Sequence, residues 1–570
     1  MDIRFLYKKN RAFQKINSLY KTMSPEKVLT LWVLCFFACI SFFTSLAIIN
    51  DRFLVTVPVY GGSIKEGLVG TPRFINPVLA LTDQDKDLVA VIFAGLTKKT
   101  VGGEVVLDLA DSIQESEDGL RYVVKIKDDA RFHDGKPVTS EDIAFTVDKV
   151  QNPIIKSPHK VEWEGVDVEI TGTKELTFVL KKPFPLFMET LSLGIIPKHI
   201  WKNLNEDQFS LSDLNVRAIG AGPYMLQKVV TESGIPTELQ LEAFKHYTLG
   251  RPYLQTITIS TYQNEKYLLK AFTDGDIQRV HGISPEKITT LSVATSSIKT
   301  SLLPRTFAVF FNPNKATPLA DKNVRLALQM AIDKERIVRE VFYGYGKTLN
   351  GPYPFDANQG TSEYNPEKAR ELLLTNKTIK KASSTLEISL TTANTDEMKK
   401  VAELIKSDWQ KIGVDASIKI YDVSDLNQNI IKDRDFQVLL FGAITQTPSD
   451  LYAFWHSSQR TYPGLNISNY VSKTLDQNLE ILRESRDETE KLSAYDQVVK
   501  EFKEEIPGIF LFSPSLIYVT NDKNTSIIPE YSYDASSRFS FIEQWFRYTD
   551  KVWPKTYKKD VIQFIQNIIH

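Results

Sequence analysis

The chain has 570 residues, of which 42% are hydrophobic and 24% charged, with a formal net charge of −1. That length exceeds one core and sets two or three domains, and the composition excludes a disordered chain. Seven Lys/Arg in the first 27 residues, against Asp2 and Glu26, leave about −6 on the rest, which argues against nucleic acid as a partner.

Residues 28–50 carry no charged side chain. Twenty-three apolar-rich residues suffice to span a bilayer of about 30 Å. The basic segment 1–27 before them predicts a cytoplasmic N-terminus and a body outside. An uncleaved anchor is the favoured reading. A cleavable signal peptide, with Ser45-Leu46-Ala47 as its site, is the main rival. A lipid anchor at Cys39 is a third. Both cysteines, Cys35 and Cys39, lie in this span. The body therefore has no disulfide, no cysteine nucleophile and no thiolate metal site.

Residues 59–69 read as a first strand interrupted by Gly61-Gly62. Strands are predicted at 105–109, 122–126, 166–170 and 176–180, with residues 131–150, RFHDGKPVTSEDIAFTVDKV, set among them. In that string Asp134-Gly135 makes a tight turn and Thr139 caps a helix, with Asp142 three residues on. His133 in the turn reads as structural. Strands follow at 239–243 and 254–260, then a helix at 265–272 leading to Gly275. Asp321, Asp333 and Asn365 each start a helix, the last with Pro366 behind it. Residues 386–390 alternate as a strand. Val401, Ile405, Trp409 and Ile412 form a helical stripe closed by Gly413, with Trp409 read as core. Residues 414–420 alternate again, and 436–441 is an apolar run suited to a strand buried on both faces. This order predicts βαβ units and a largely parallel sheet.

The string 131–150 resembles the signature of the extracytoplasmic solute-binding proteins of peptide-type ABC importers, the dipeptide/oligopeptide/nickel-binding family. PRFINP (72–77), IFAGL (92–96), IGAGPY (219–224), NVRLALQMAID (323–333), GYGKTLNGPYP (344–354) and YNPEKARELL (364–373) resemble further family segments, in family order, from about 58 to 548. The resemblance implies an α/β, two-lobed periplasmic-binding-protein fold of the peptide-binding cluster, preceded by one transmembrane helix. Lobe I would span 58–305, with an inserted subdomain at about 90–215. Lobe II would span 306–510. Residues 511–548 would return to lobe I, and 549–570 would be a tail, amphipathic from Trp553. Crossings between the lobes are expected near 304–313 and 506–514.

The seven histidines include no pair at i,i+3 or i,i+4, and no G-x-S-x-G, Walker A or H-E-x-x-H string occurs. No enzymatic activity, metal or cofactor is expected. The stretch 441–458, FGAITQTPSDLYAFWHSS, follows a predicted buried strand, where open α/β sheets bind ligands. In the family, by resemblance, an acid four positions before the proline holds a peptide's ammonium. Here Pro448 marks the place and the residue is Ile444. Ala443, Thr445, Gln446 and Thr447 surround it, while Asp450 reads as a helix cap before a ligand contact. Arg73, Arg305, Phe307, Trp455 and Phe512 complete the candidate cleft. Arg305 would pair with a ligand carboxylate or with an acid of the protein, and Trp455 reads as core before pocket wall. The expected partners are a peptide-like solute, the ABC permease subunits and the membrane, with the chain a monomer. The alternatives are a ligand-sensing surface protein without a permease and a receptor for a non-peptide solute such as an oligosaccharide.

Overall fold

The computed structural model describes residues 18–19, 22–100, 105–184, 186–291, 297–356, 363–376, 385–485, 487–521, 532 and 534–552. By their contacts these separate into two compact units. One runs to Val59 and resumes at Tyr548; the other is Tyr60–Arg547.

In the first unit Pro25–Phe53 forms helix α1, with proline at its start, where its missing N–H breaks no helical bond. The stretch Pro25–Leu46, 22 residues of mean hydropathy 2.1, is wholly unburied. At 1.5 Å per residue it is about 33 Å long, long and apolar enough to cross a membrane. Strand β1 (Val55–Val59) follows and pairs antiparallel with β20 (Tyr548–Val552), Val55 lying opposite Val552. The tail from 553 and most of the basic leader lie outside the described residues.

In the second unit β2 (Ser63–Val69) opens a different sheet. The single strand expected over 59–69 is thus two, because Gly61 and Gly62 turn the chain at φ of 130° and 85°. Next come α2 (Asp83–Ile92) and the paired β3 (Thr97–Lys99) and β4 (Val105–Leu107). Then β5 (Ala110–Glu115), β6 (Arg121–Ile126), β7 (Val166–Gly172) and β8 (Glu175–Leu180) form an antiparallel sheet in the order β5-β6-β8-β7. Helix α3 (Ser140–Gln151) packs on β7.

The string 131–150 acts here as a structural clasp. The Asp142 carboxylate accepts from the Thr139 N–H at 2.9 Å and the Lys198 N–H at 2.8 Å. His133 accepts from the Gly220 N–H at its Nδ1, 3.3 Å, so its Nε2 donates to the Gly222 carbonyl, 3.0 Å. Burial pushes the imidazole down to about 4, keeping it neutral. Gly220 must be glycine, since a Cβ there would lie 2.1 Å from the Ile92 carbonyl oxygen.

The large sheet has twelve strands among the described residues. It takes in β2, β9 (Tyr224–Glu232), β10 (Ile235–Ala243), β11 (Thr256–Tyr262), β12 (Arg279–His281), β13 (Ile298–Leu302), β14 (Arg305–Phe311), β15 (Gly346–Thr348), β16 (Leu386–Ala393), β17 (Val414–Tyr421), β18 (Val438–Ile444) and β19 (Gly508–Thr520). The main path runs β17-β16-β18-β14-β19-β12-β2-β11-β10-β9. Between them lie α4 (Glu265–Asp274), α5 (Lys322–Met330), α6 (Lys334–Val341), α7 (Pro366–Thr375), α8 (Asp396–Lys411), α9 (Leu451–Trp455), α10 (Lys473–Glu484) and α11 (Glu488–Glu505). Asp321, Asp333 and Asn365 cap α5, α6 and α7 as expected. The stripe Val401, Ile405 and Trp409 is buried on α8. Around it the sheet is less parallel than expected. Strand β16 pairs parallel with β17 and β18, but β14 runs antiparallel to β18 and to β19.

Two large cores flank this sheet. One is built from residues 64–259 with Tyr518, Phe539, Ile542 and Trp545, the other from residues 308–512. Strand β19 serves both regions. Its first half pairs with β14, and its second half pairs with β12 and β13. At the passage from β13 to β14 the Leu303 N–H donates to the Pro514 carbonyl, 3.1 Å, and the Ser513 hydroxyl donates to the Leu303 carbonyl, 2.7 Å. Pro304 and Pro514 lack donors there, so the ladder is interrupted at this point.

Candidate functional site

Antiparallel register sets the floor of the site. Arg305 lies opposite Ile444, Thr306 opposite Ala443, and Phe307 opposite both Gly442 and Phe512. The Phe307 ring stacks on Phe512 with centroids 5.0 Å apart. Gly442 leaves room for it, since a Cβ there would meet the ring at 2.9 Å. Arg305 and Ile444 are exposed at this edge of the sheet, while Ala443 is buried.

The turn after β18 is held from within. The Thr445 N–H donates to the Pro304 carbonyl, 2.9 Å. The Asp450 carboxylate accepts from the Gln446 and Thr447 N–H groups at 2.7 and 2.9 Å. Asp450 thus closes the turn that leads into α9, as the third residue of a capping box begun by Thr447. Burial pushes its carboxyl up, opposed by those two hydrogen bonds. Glu189 and Lys99, themselves paired at 2.9 Å, act on it from the other core's side.

Other expected cleft residues are placed elsewhere. Trp455 and Phe512 are 3% and 0% exposed and belong to the second core. Trp455 packs on Phe310, Phe502 and Phe510. Both large rings are used for packing: Trp455 takes the core place read first for it, and Phe512 packs in the core where a cleft contact was expected. Arg73 is exposed. Its N–H donates to Asp85, 2.7 Å, and its guanidinium lies over the adjacent Phe74 ring. It does not line the cavity described next.

A cavity of about 410 Å³ opens beside the passage between β13 and β14. Of the expected residues only Arg305 lines it. Its other walls are Leu68 and Val69 at the end of β2, His281 and the turn 282–284 after β12, Glu265 at the start of α4, Asp83 at the start of α2, Glu397 on α8, and residues 515–517 of β19. Strands β11 and β12 flank β2 and run parallel to it. The cavity therefore lies at their carboxyl ends, where such sheets bind ligands. The sequence signal was available: glycine turns at Gly70 and Gly282 directly follow these strands.

The cavity's charges are distinct. The Glu265 carboxylate is occupied, accepting the Ser284 N–H at 2.6 Å and hydroxyl at 2.8 Å. His281 is buried, with its Nε2 3.1 Å from Asp87 and its Nδ1 without a hydrogen-bond partner among the described residues. Beneath it Arg538, fully buried, donates to Asp87 at 2.6 and 2.7 Å and to Glu66 at 2.9 and 2.8 Å. Burial alone would push the Asp87 carboxyl up, but Arg538 and His281 hold it at about 2. No group of three or more His, Cys, Asp or Glu suited to a metal ion occurs among the described residues.

Residues 104–463 match the profile of the bacterial extracellular solute-binding proteins, family 5, middle region. The chain belongs to this family. It is 29% identical over 521 residues to the oligopeptide-binding protein AppA of Bacillus subtilis, covering 86% of this chain and 92% of that one. The structure of that AppA with a nonapeptide superposes with a TM-score of 0.63 at 26% identity, covering 86% of this chain and all of that one. The ABC transporter substrate-binding protein CtaP of Listeria monocytogenes superposes with a TM-score of 0.71 at 25% identity, covering 86% and 99% of the two chains. The mixed α/β body accordingly has the two-lobed fold of the family 5 proteins.

Proposed function

We propose that this family 5 protein is a membrane-anchored, extracytoplasmic receptor of an ABC importer. It captures a peptide-like solute by closing two lobes and delivers it to the permease. Residues 58–305 and 511–548 form the first lobe and 306–510 the second. The observation that carries this reading is the cavity whose walls combine both lobes: Leu68, Glu265, His281 and Arg305 from the first and Glu397 of α8 from the second. A ligand that touches both sides favours the closed state over the open one, which is what drives closure. The two strand passages, β13–β14 and β19, are short connections suited to a hinge. The unburied apolar α1 and the basic segment before it support retention in the membrane with the body outside. Peptides named with the similar proteins support the solute class.

Native mass spectrometry of the full chain, extracted gently from its own membrane, tests this reading. A series of retained masses that fragment as peptides is expected. A retained carbohydrate or other non-peptide solute would overturn the peptide assignment. The intact mass of the same preparation reports whether α1 is kept, as expected, or removed.

A further inference from the structure

Within the first unit the chain comes back to where it left α1. Helix α1 ends at Phe53 and passes through Leu54 into β1 with no loop between them. Strand β20 pairs antiparallel with β1, so it runs back toward α1, and its last residue, Val552, lies opposite Val55, the first of β1. The uncharged run of α1 ends at Asn50. Residues 51–53 are helical and 54–55 extended, so Val552 stands within about 11 Å of that run along the chain's path. Residues 548–551 are exposed and Val552 is half-buried. Strand β20 therefore delivers the segment that follows it to the surface beside the exit of α1, not to a core.

Residues 553–570 lie outside the described residues, and their sequence is strongly patterned. Trp553, Tyr557, Lys555, Lys558 and Lys559 come first, and Asp560 is the only acid in the segment. Apolar pairs then recur at 561–562, 564–565 and 568–569, a spacing that fits a helix and not a strand. At helical pitch Val561, Ile562, Phe564, Ile565, Ile568 and Ile569 fill one continuous arc of about 160°, and Asp560, Gln563, Gln566, Asn567 and His570 fill the rest. A helix with one wholly polar face lies in a membrane interface and does not span the bilayer. About eleven residues are too few for a helix to be stable alone in water, so the pattern requires a surface. The bilayer that α1 crosses is the nearest one. Aromatic residues at headgroup level and lysines facing anionic lipid suit the same place.

We propose that residues 553–570 make a second membrane contact, on the surface of the leaflet from which α1 emerges. Residues 560–570 lie there as an interfacial helix, with Phe564 and the isoleucines at the acyl boundary and Lys555, Lys558 and Lys559 on anionic headgroups. The β1–β20 ribbon is then a stalk held to the bilayer through both of its strands. This inference rests on the reading of α1 as a retained anchor. It adds an anionic lipid surface as a partner.

The test uses the full chain, inserted body-outward into phosphatidylcholine vesicles with and without phosphatidylglycerol. A fluorophore is attached at one cysteine at a time, in a chain carrying Cys35→Ser and Cys39→Ser. Ile565→Cys and Ile568→Cys report the apolar face, and Gln563→Cys and Asn567→Cys the polar face. A fifth chain keeps Cys39, in the middle of the span, and carries only Cys35→Ser. Quenching is read with lipids spin-labelled near the headgroup, with lipids labelled deep in the acyl chain, and with iodide in the water. With phosphatidylglycerol present, shallow lipid labels should quench the two apolar-face positions about threefold more than the two polar-face positions, and iodide should show the reverse order. The contrast should shrink when phosphatidylglycerol is left out; a contrast of equal size would overturn the anionic-lipid assignment. Cys39 should be quenched by the deep lipid labels. If it is not, the anchor reading falls and the proposal falls with it. If it is, the proposal alone is overturned by equal access of iodide to all four positions, by equal lipid quenching at all four, or by protection of all four from both quenchers, which would mean that protein covers the segment.

Discussion

Replacing Arg538 with methionine should reverse the sign of a pH effect. Arg538 is wholly buried and joins the late segment 535–545 to β2 through Glu66 and to α2 through Asp87. It also donates to the Ala535 carbonyl, 2.6 Å. In the parent chain Asp87 titrates at about 2 when folded and 3.8 ordinarily. Its contribution, about 2 kcal/mol at 1.36 kcal/mol per unit, is present above pH 3.8 and is lost as the pH falls toward 2. Methionine fills most of the space but leaves two carboxylates without their cation. Breaking a buried pair in this way costs about 3–5 kcal/mol at neutral pH. Burial then pushes the Asp87 carboxyl above its ordinary value, so the variant gains stability as the pH falls from 7 to 5. Urea unfolding followed by circular dichroism at pH 7 and pH 5 measures both effects. The gap between parent and variant should be several kcal/mol at pH 7 and smaller by 1 kcal/mol or more at pH 5. An equal gap at both pH values, or one below about 1 kcal/mol at pH 7, would refute the buried network as drawn. The outcome bears on function, because this network lies under His281 and the end of β12, which wall the cavity.

Two further outcomes follow from the clasp around residues 131–150. His133 is held neutral, at about 4 against 6.5, so the unfolded chain binds the proton more readily between those values. Stability should be full above pH 6.5 and fall by about 3 kcal/mol on the way to pH 4. Calorimetry across that range should show this slope, and His133→Asn should remove most of it. Gly220→Ala forces a methyl against the Ile92 carbonyl and should lower stability by about 1–3 kcal/mol; an unchanged unfolding midpoint would contradict that contact.

Much of the second core could be read from the sequence because its signals are local. The capped starts at Asp321, Asp333 and Asn365 and the stripe Val401, Ile405 and Trp409 each depend on residues a few positions apart. The family signature read equally well, and the structure gives its residues bracing roles: Asp142 on Lys198, His133 on Gly220 and Gly222. The cavity was largely illegible for the converse reason. Its walls draw on residues 68, 83, 265, 281, 397 and 516, and only the strand order brings them together. Arg305 alone was found, through its place beside a passage between strands. Phe512 was expected in the cleft, and Trp455 stands between core and pocket wall in the sequence, because a large ring beside an apolar strand has the same sequence signal whether it faces a cleft or a core. The split of β1 from β2 was hidden by two glycines that interrupt a strand pattern and also turn the chain into another sheet.

Closure on a bound peptide can be measured as a distance. Spin labels are placed at Leu211→Cys and Leu492→Cys, two strongly exposed positions, one in the segment of each large core, in a full chain carrying Cys35→Ser and Cys39→Ser. Double electron–electron resonance is recorded with and without a pool of short synthetic peptides. Binding should move the distance distribution to a second, separate population whose share rises with occupancy. A distribution that stays unchanged while native mass spectrometry shows the peptide bound would contradict the hinge.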